Sequence, residues 1–217
     1  MMNVNAQIQI GATGTYAIPI GAFGAAPTIE NGSNSSGINN LVGTANSGTG
    51  GGLFAKYFIN ENMAIGVSFN YLSFTGQEIK MNLLNPFPFV TLPSITGSFT
   101  SMPIALTYDY YFGTDKIKPF AGIELGYITT NATHNFPGMY TSSGSDSSQT
   151  VKLSGFFVAP VVGCTYAVTD NIDILASLKY GIGMNKLDFD KVANSPNVGI
   201  PSTSYLGLNI GVAYNIK

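Results

Sequence analysis

The sequence predicts an all-β fold: an antiparallel up-and-down β-barrel of eight strands that spans a membrane. Three observations carry that expectation. Charged residues are only 9% of the 217 residues while apolar residues reach 45%, against about a quarter charged in ordinary soluble domains. Apolar residues alternate with small or polar ones at a period of two along most of the chain, as in strands with one apolar face. Mean hydropathy is +0.21, yet no run of about 18 apolar residues occurs that would make a membrane helix. The chain is rich in Gly (26), Phe (14) and Tyr (12) and lacks Trp. That composition suits a wall with an apolar lipid face and a lumen face of small, neutral side chains.

At 7–18, Ile8, Ile10, Tyr16 and Ile18 share a face with Ala12 and Gly14. The segment 50–59 is a weaker case, because Phe54 and Phe58 fall on the inner face. At 63–71, Ile65, Val67, Phe69 and Tyr71 oppose Ala64, Gly66, Ser68 and Asn70. At 100–112, Met102, Ile104, Leu106, Tyr108, Tyr110 and Phe112 oppose Ser101, Ala105, Thr107 and Asp109. The segments 118–130 and 152–168 alternate less cleanly. In the second, Phe156 and Tyr166 share a parity ten residues apart, a separation of roughly 25 Å along the normal for a tilted strand. That is the height of an apolar band between two aromatic girdles. Pro160 between them lacks a donor and is expected at a bulge or unpaired site. At 171–183, Ile172, Ile174, Ala176, Leu178, Tyr180 and Ile182 oppose Asp173, Ser177, Lys179, Gly181 and Gly183. The clearest strand is 203–216, with Leu206, Leu208, Ile210, Val212, Tyr214 and Ile216 facing away from Gly207, Asn209, Gly211, Ala213 and Asn215.

The connections alternate in length. Three are short: Asn60 to Asn62, Gly113 to Ile117, and Thr169 to Asn171. Four are long, at 19–49, 76–98, 131–150 and 185–202. Short periplasmic turns and long extracellular loops are the pattern of outer-membrane barrels. A soluble ligand-binding barrel would instead carry charge outside and apolar residues inside. Here the less apolar face is too poor in charge to coat a soluble barrel. Val4 and Ala6 fit the −3 and −1 positions of a signal-peptidase site before Gln7. Residues 1–6 therefore read as a signal-peptide remnant or an expression start, and 7–217 as one barrel domain.

Three segments resemble the small outer-membrane barrels of the OmpA-like, OmpX-like and OmpW-like superfamily: YFGTDKIKPFAGIELGY (111–127), LFAKYFINENMAIGVSFNY (53–71) and YAVTDNIDILASLKYGIG (166–183). They match, in order and spacing, a turn followed by a Pro-aromatic-x-Gly-x-x-x-Gly strand, a second hairpin and a last periplasmic hairpin. The Asn-, Ser- and Thr-rich loops and the Ala6-Gln7 junction resemble barrels of the Bacteroidetes group. The resemblance implies a multi-pass barrel in the outer membrane of a Gram-negative bacterium, surrounded by outer-membrane lipid. It does not specify a function, because the superfamily is functionally diverse.

The residues themselves exclude several chemistries. Net charge is −2 and no basic patch is visible, which argues against a nucleic-acid partner. Cys164 is the single cysteine, so neither an internal disulfide nor a cysteine metal site can form. Its thiol reads as a small packing residue. The glycines follow no strand-to-helix step, so they make no phosphate loop. His134 is the single histidine and falls in the third long loop near Ser142, Ser143 and Ser145. It reads as solvated loop rather than as half of a Ser–His pair, and no cofactor is expected.

Two groups remain as candidate sites. Lys56, Asp109 and Asp173 should point inward just above the short turns, with Glu124 and Lys179 higher. An eight-stranded lumen is only wide enough for side chains to fill, and charges enclosed there must pair. Depth suggests Lys56 with Asp109 or Asp173, and Glu124 with Lys179, as a plug of ion pairs or as a gated ion path. The second group is the apolar loop 81–97, where Leu83, Leu84, Phe87, Phe89, Val90 and Leu92 stand among prolines. It reads either as a cover folded over the mouth or as a partner- or lipid-contacting surface. The first loop, 31–52, is almost all Gly, Ser, Asn and Thr and reads as mobile. The functional expectation is a non-enzymatic barrel with a structural or binding role, its loops contacting another outer-membrane protein or complex, or an extracellular target. A small channel for hydrophobic or small polar solutes is the alternative, and a lipid-modifying enzyme a remote one.

Overall fold

The structure is a computed structural model that describes residues 7–25, 28–29, 38–39, 44–78, 94–113, 116–136, 145–187 and 203–216. The barrel strands are β1 (Gln7–Ile20), β4 (Ala45–Asn60), β5 (Met63–Gly76), β6 (Thr96–Tyr111), β7 (Ile117–Phe136), β8 (Ser147–Ala167), β9 (Ile172–Leu187) and β10 (Thr203–Ile216). The first connection carries a 3-10 turn at Gly21–Phe23 and a separate two-stranded ladder of β2 (Thr28–Ile29) and β3 (Ile38–Asn39). The barrel closes in the order β1-β10-β9-β8-β7-β6-β5-β4, with β4 returning to β1 and every neighbour antiparallel. Only the β1–β10 seam joins strands from opposite ends of the chain. Thr15 Oγ1 donates to Asn209 Oδ1 at 2.7 Å and Gln9 Nε2 to Asn215 Oδ1 at 3.0 Å across it.

The alternation decides the two faces. Leu53, Leu106, Leu125, Val162, Leu178, Leu208 and Ile210 stand outward and exposed, while Ser68, Thr107, Glu124, Ser177, Lys179 and Asn209 are buried inward. So large an apolar surface is stable only against lipid. Tyr57, Tyr108, Tyr110, Tyr166 and Tyr214 edge it on the side of the short turns, and Tyr16, Tyr71, Tyr127, Phe156 and Tyr180 on the other. Pro160 is outward, and the β8–β9 pairs pass from Val158↔Ile182 to Val161↔Lys179 without one for Pro160. Its missing donor is thus absorbed with no register shift.

Short turns need local partners for their backbone groups. Asn60 Oδ1 accepts from the Asn62 amide at 2.9 Å, and Thr169 Oγ1 from the Ile172 amide at 3.0 Å. The side chains of Asn62 and Asn171 tie these turns to neighbouring strands through the carbonyls of Tyr111 and Asn215, each at 2.9 Å. Gly113 takes φ +95°, a conformation that other residues rarely adopt.

The strands run further than the alternation predicts at the opposite, far end. β7 and β8 pair out to Phe136↔Ser147, well inside the segment read as loop at 131–150. Beyond the aromatic positions the outward face turns polar, as at Thr129, Asn131 and Thr133, while Ile128, Ala132 and Leu153 stay buried inward, so the outward apolar signal stops while the backbone ladder continues. Thr133 and Thr150 illustrate this, their hydroxyls 3.0 Å apart. Residues 45–52 likewise belong to β4 and not to a mobile loop. A Cβ on Gly50 would lie 1.9 Å from the Tyr71 carbonyl oxygen, and one on Gly48 2.2 Å from that of Ser73. Close approach of neighbouring backbone, not flexibility, calls for glycine there.

Candidate functional site

The lumen is filled in layers. In the layer above the short turns, Lys56 Nζ (β4) lies 3.0 Å from Asp109 Oδ2 (β6), with side-chain exposures of 11% and 5%. The ammonium also donates to the Tyr111 hydroxyl at 3.3 Å. Three rings surround it, with centroids 5.0 Å (Phe54), 5.1 Å (Phe120) and 5.8 Å (Tyr111) away. An enclosed cation gains from the negative faces of such rings. Phe54 does not disturb the inner face. It lies over Gly11, where a Cβ would come within 2.3 Å of its ring. Phe58 packs on Tyr111 at 5.3 Å between centroids. Asp173 is not joined to Lys56. Its Oδ2 accepts from Gln9 Nε2 at 2.9 Å and Asn215 Nδ2 at 2.8 Å. Amide donors are a sufficient partner for a carboxylate at this partly exposed position.

One step higher, Lys179 Nζ (β9) lies 2.8 Å from Glu124 Oε1 (β7), both side chains at least nine-tenths buried. Asn209 Nδ2 donates to Ser177 Oγ at 3.1 Å beside it. A cavity of about 50 Å³ borders both ion pairs, and Lys56, Asp109, Glu124 and Lys179 all contribute to its wall.

The far end is closed by apolar packing. Phe23 enters the mouth from the 3-10 turn and meets Phe74 and Phe99 edge-on, at 5.1 and 5.6 Å between centroids. Tyr205 stacks on Phe157 at 6.4 Å and 15°. All five rings are at most 2% exposed. This layer was not evident from the alternation. Phe23 lies in a connection, and Phe74 and Phe99 fall beyond the strand ends that the sequence suggests. One sequence signal does exist: Tyr205 sits opposite Gly181 (β10–β9), whose Cβ would come within 2.5 Å of the ring. A large inward residue facing an inward glycine marks a filled level of a small barrel.

His134 corrects the loop assignment. It lies in β7, 4% exposed, with its ring edge-on to Phe99 at 5.7 Å. The loop assignment fails because the strand continues through a polar stretch. Among the described residues no group of three or more His, Cys, Asp or Glu could hold a metal ion. Of the apolar loop 81–97, Ile95 is buried and Thr96 and Gly97 open β6. Leu83, Leu84, Phe87, Phe89, Val90 and Leu92 lie outside the described residues.

Residues 4–215 match a family model described as the outer membrane protein β-barrel domain. Among solved structures, the outer membrane protein OprG from Pseudomonas aeruginosa is similar over 98% of this chain and 97% of its own, at 14% identity and a TM-score of 0.58. A major outer membrane protein from Thermus thermophilus gives 12% identity, 98% and 100% coverage and a TM-score of 0.58. The outer membrane protease OmpT from Escherichia coli gives 11% identity, 99% and 98% coverage and a TM-score of 0.50. At these identities the likeness is one of fold. No curated protein matches the chain.

Proposed function

Because the chain belongs to the outer membrane protein β-barrel family and so resides in the outer membrane, we propose that it is a closed, non-enzymatic barrel with a structural or binding role. The observation that carries this reading is the occlusion of the lumen at two levels. The Lys56–Asp109 layer with its aromatic rings fills one level. The Phe23, Phe74, Phe99, Phe157 and Tyr205 layer fills the other. Aromatic rings thus stand in the lumen at both levels, which opposes the passage of a hydrated ion. Contact with a partner then falls to the far-end connections, including the apolar segment 83–92. The partner class is another outer-membrane protein or complex, or an extracellular target. The fold likeness to a protease carries no activity across, and His134 is buried against Phe99 rather than presented to a substrate.

Two measurements test the proposal. Reconstituted in planar bilayers, the protein should show no steady conductance. Extracted from native membranes in mild detergent, it should bring a partner with it, and Phe87→Ser with Phe89→Ser should lose that partner while the folded barrel still migrates as a compact band. A large steady conductance, or loss of the folded band in the double variant, opposes the reading. One observation favours the alternative of a small channel. Phe23 is carried by a three-residue 3-10 turn rather than by a strand, so a single displaced segment would open the mouth above a polar chamber.

A further inference from the structure

The chamber that both ion pairs line has no part in a closed-barrel role, yet its wall is chemically incomplete. Besides Asp109 Oδ2, which Lys56 holds as an ion pair, three side-chain oxygens on it meet no protein hydrogen-bond partner: Ser68 Oγ, Thr107 Oγ1 and Glu124 Oε2. Each residue is 7% exposed. They stand on three consecutive strands. Thr107 (β6) pairs with Glu124 (β7) on one side and with Gly66 (β5) on the other, and Ser68 is two residues along β5 on the same face. Buried oxygens are satisfied almost without exception in folded proteins, and leaving three orphaned at one place would cost far more than any one contact returns.

The wall defines its guest. Glu124 Oε2 only accepts hydrogen bonds when ionised, so the guest must donate. An inorganic cation is opposed by two ammonium groups. Lys179 Nζ lies 2.8 Å from the other oxygen of the same carboxylate, and Lys56 lines the same chamber. An anion is opposed by Glu124 and Asp109. A neutral, small molecule that both donates and accepts fits all three oxygens, and about 50 Å³ gives room for roughly three waters. We propose that this chamber is a hydration site. A fixed cluster of about three waters donates to Glu124 Oε2 and bridges to Ser68 and Thr107, joining the two ion pairs into one polar network.

Thr107→Val separates the possibilities, because it keeps the shape and removes one oxygen. If water bonds to that hydroxyl, the variant loses a hydrogen bond, and the unfolding constant in lipid vesicles should rise about fivefold. If the hydroxyl is dry and orphaned, removing it relieves the protein, and the unfolding constant falls. A fall, or no change, overturns the proposal. A crystal structure of the wild type at a resolution that orders water provides the second measurement. Water density within hydrogen-bond distance of Ser68 Oγ, Thr107 Oγ1 and Glu124 Oε2 is expected. A chamber without density, or one holding an ion of the crystallisation solution, overturns it as well.

Discussion

Removing the Lys56 ammonium should expose how much of the barrel rests on its caged ion pair. Lys56→Met keeps the unbranched stem among Phe54, Phe120 and Tyr111 but deletes the charge. Asp109, at 5% side-chain exposure, then keeps a buried carboxylate without its cation. Breaking a buried pair from one side costs about 3–5 kcal/mol. Asp109→Asn breaks the same pair from the other side, but the ammonium left behind still has three ring faces within 6 Å and the Tyr111 hydroxyl at 3.3 Å. Ring faces stabilise a desolvated cation by about 0.5–2 kcal/mol each, so this variant should lose clearly less. The double variant Lys56→Met with Asp109→Leu leaves no unpaired charge and should recover to near wild-type stability, because apolar replacements of buried pairs are often neutral. The assay is urea unfolding in lipid vesicles, with folded and unfolded fractions separated by gel mobility and Asp109→Leu alone completing the double-mutant cycle. Equal losses for Lys56→Met and Asp109→Asn would refute the aromatic cage. Additive losses in the double variant would refute the ion pair itself.

Three further outcomes follow from the geometry. Leu208→Arg, on an outward side chain, should impair insertion by up to about 2–4 kcal/mol; Asn209→Arg, buried inward, should act through crowding alone, and equal tolerance of the two in a vesicle-folding assay would overturn the register. Gly11→Leu should destabilise the barrel by about 1–3 kcal/mol, since its Cβ would meet the Phe54 ring at 2.3 Å, whereas Gly14→Leu, with nothing nearer than 3.9 Å, should be accepted in the same unfolding assay. Phe23→Ala should cost at most about 3–5 kcal/mol, less if the 3-10 turn simply undocks, and should raise open-channel activity in planar bilayers; an unchanged closed state would show that the remaining rings seal the mouth without it.

The outward half of the fold was legible in the sequence because lipid permits only apolar side chains there, which imposes the alternation at Leu206 to Ile216 and at Ile65 to Tyr71. The inward half was less legible, because a lumen accepts any residue that the opposite wall can accommodate. Phe54 looks like an error in the pattern until Gly11 is seen beneath it, and Tyr205 makes sense only against Gly181. Complementarity of that kind links strands whose pairing the sequence does not display. The ion pairs were easier, since a buried charge must find a partner at similar depth, yet depth alone did not separate Asp109 from Asp173 for Lys56. The ends of β4, β7 and β8 were hidden for a different reason. Past the lipid boundary the outward face meets water and turns polar, so residues such as Thr133 and Thr150 bear no mark of the ladder they continue.

The single seam between β1 and β10 has a kinetic consequence. Every other pairing joins consecutive barrel strands, so each can form as a hairpin as soon as its two strands meet. The last seam must bring together residues such as Thr15 and Asn209, which are 194 positions apart, and the entropy of that loop is recovered only when the ring shuts. Closure is therefore expected as the slow, late event of folding. A slip of one residue at that seam would turn one strand's lipid-facing side chains toward the lumen. It would also part Thr15 from Asn209 and Gln9 from Asn215. These clasps act as a gauge on the closing ring: a barrel shut in the wrong register lacks both and reopens, while the correct one is held long enough to persist in the membrane.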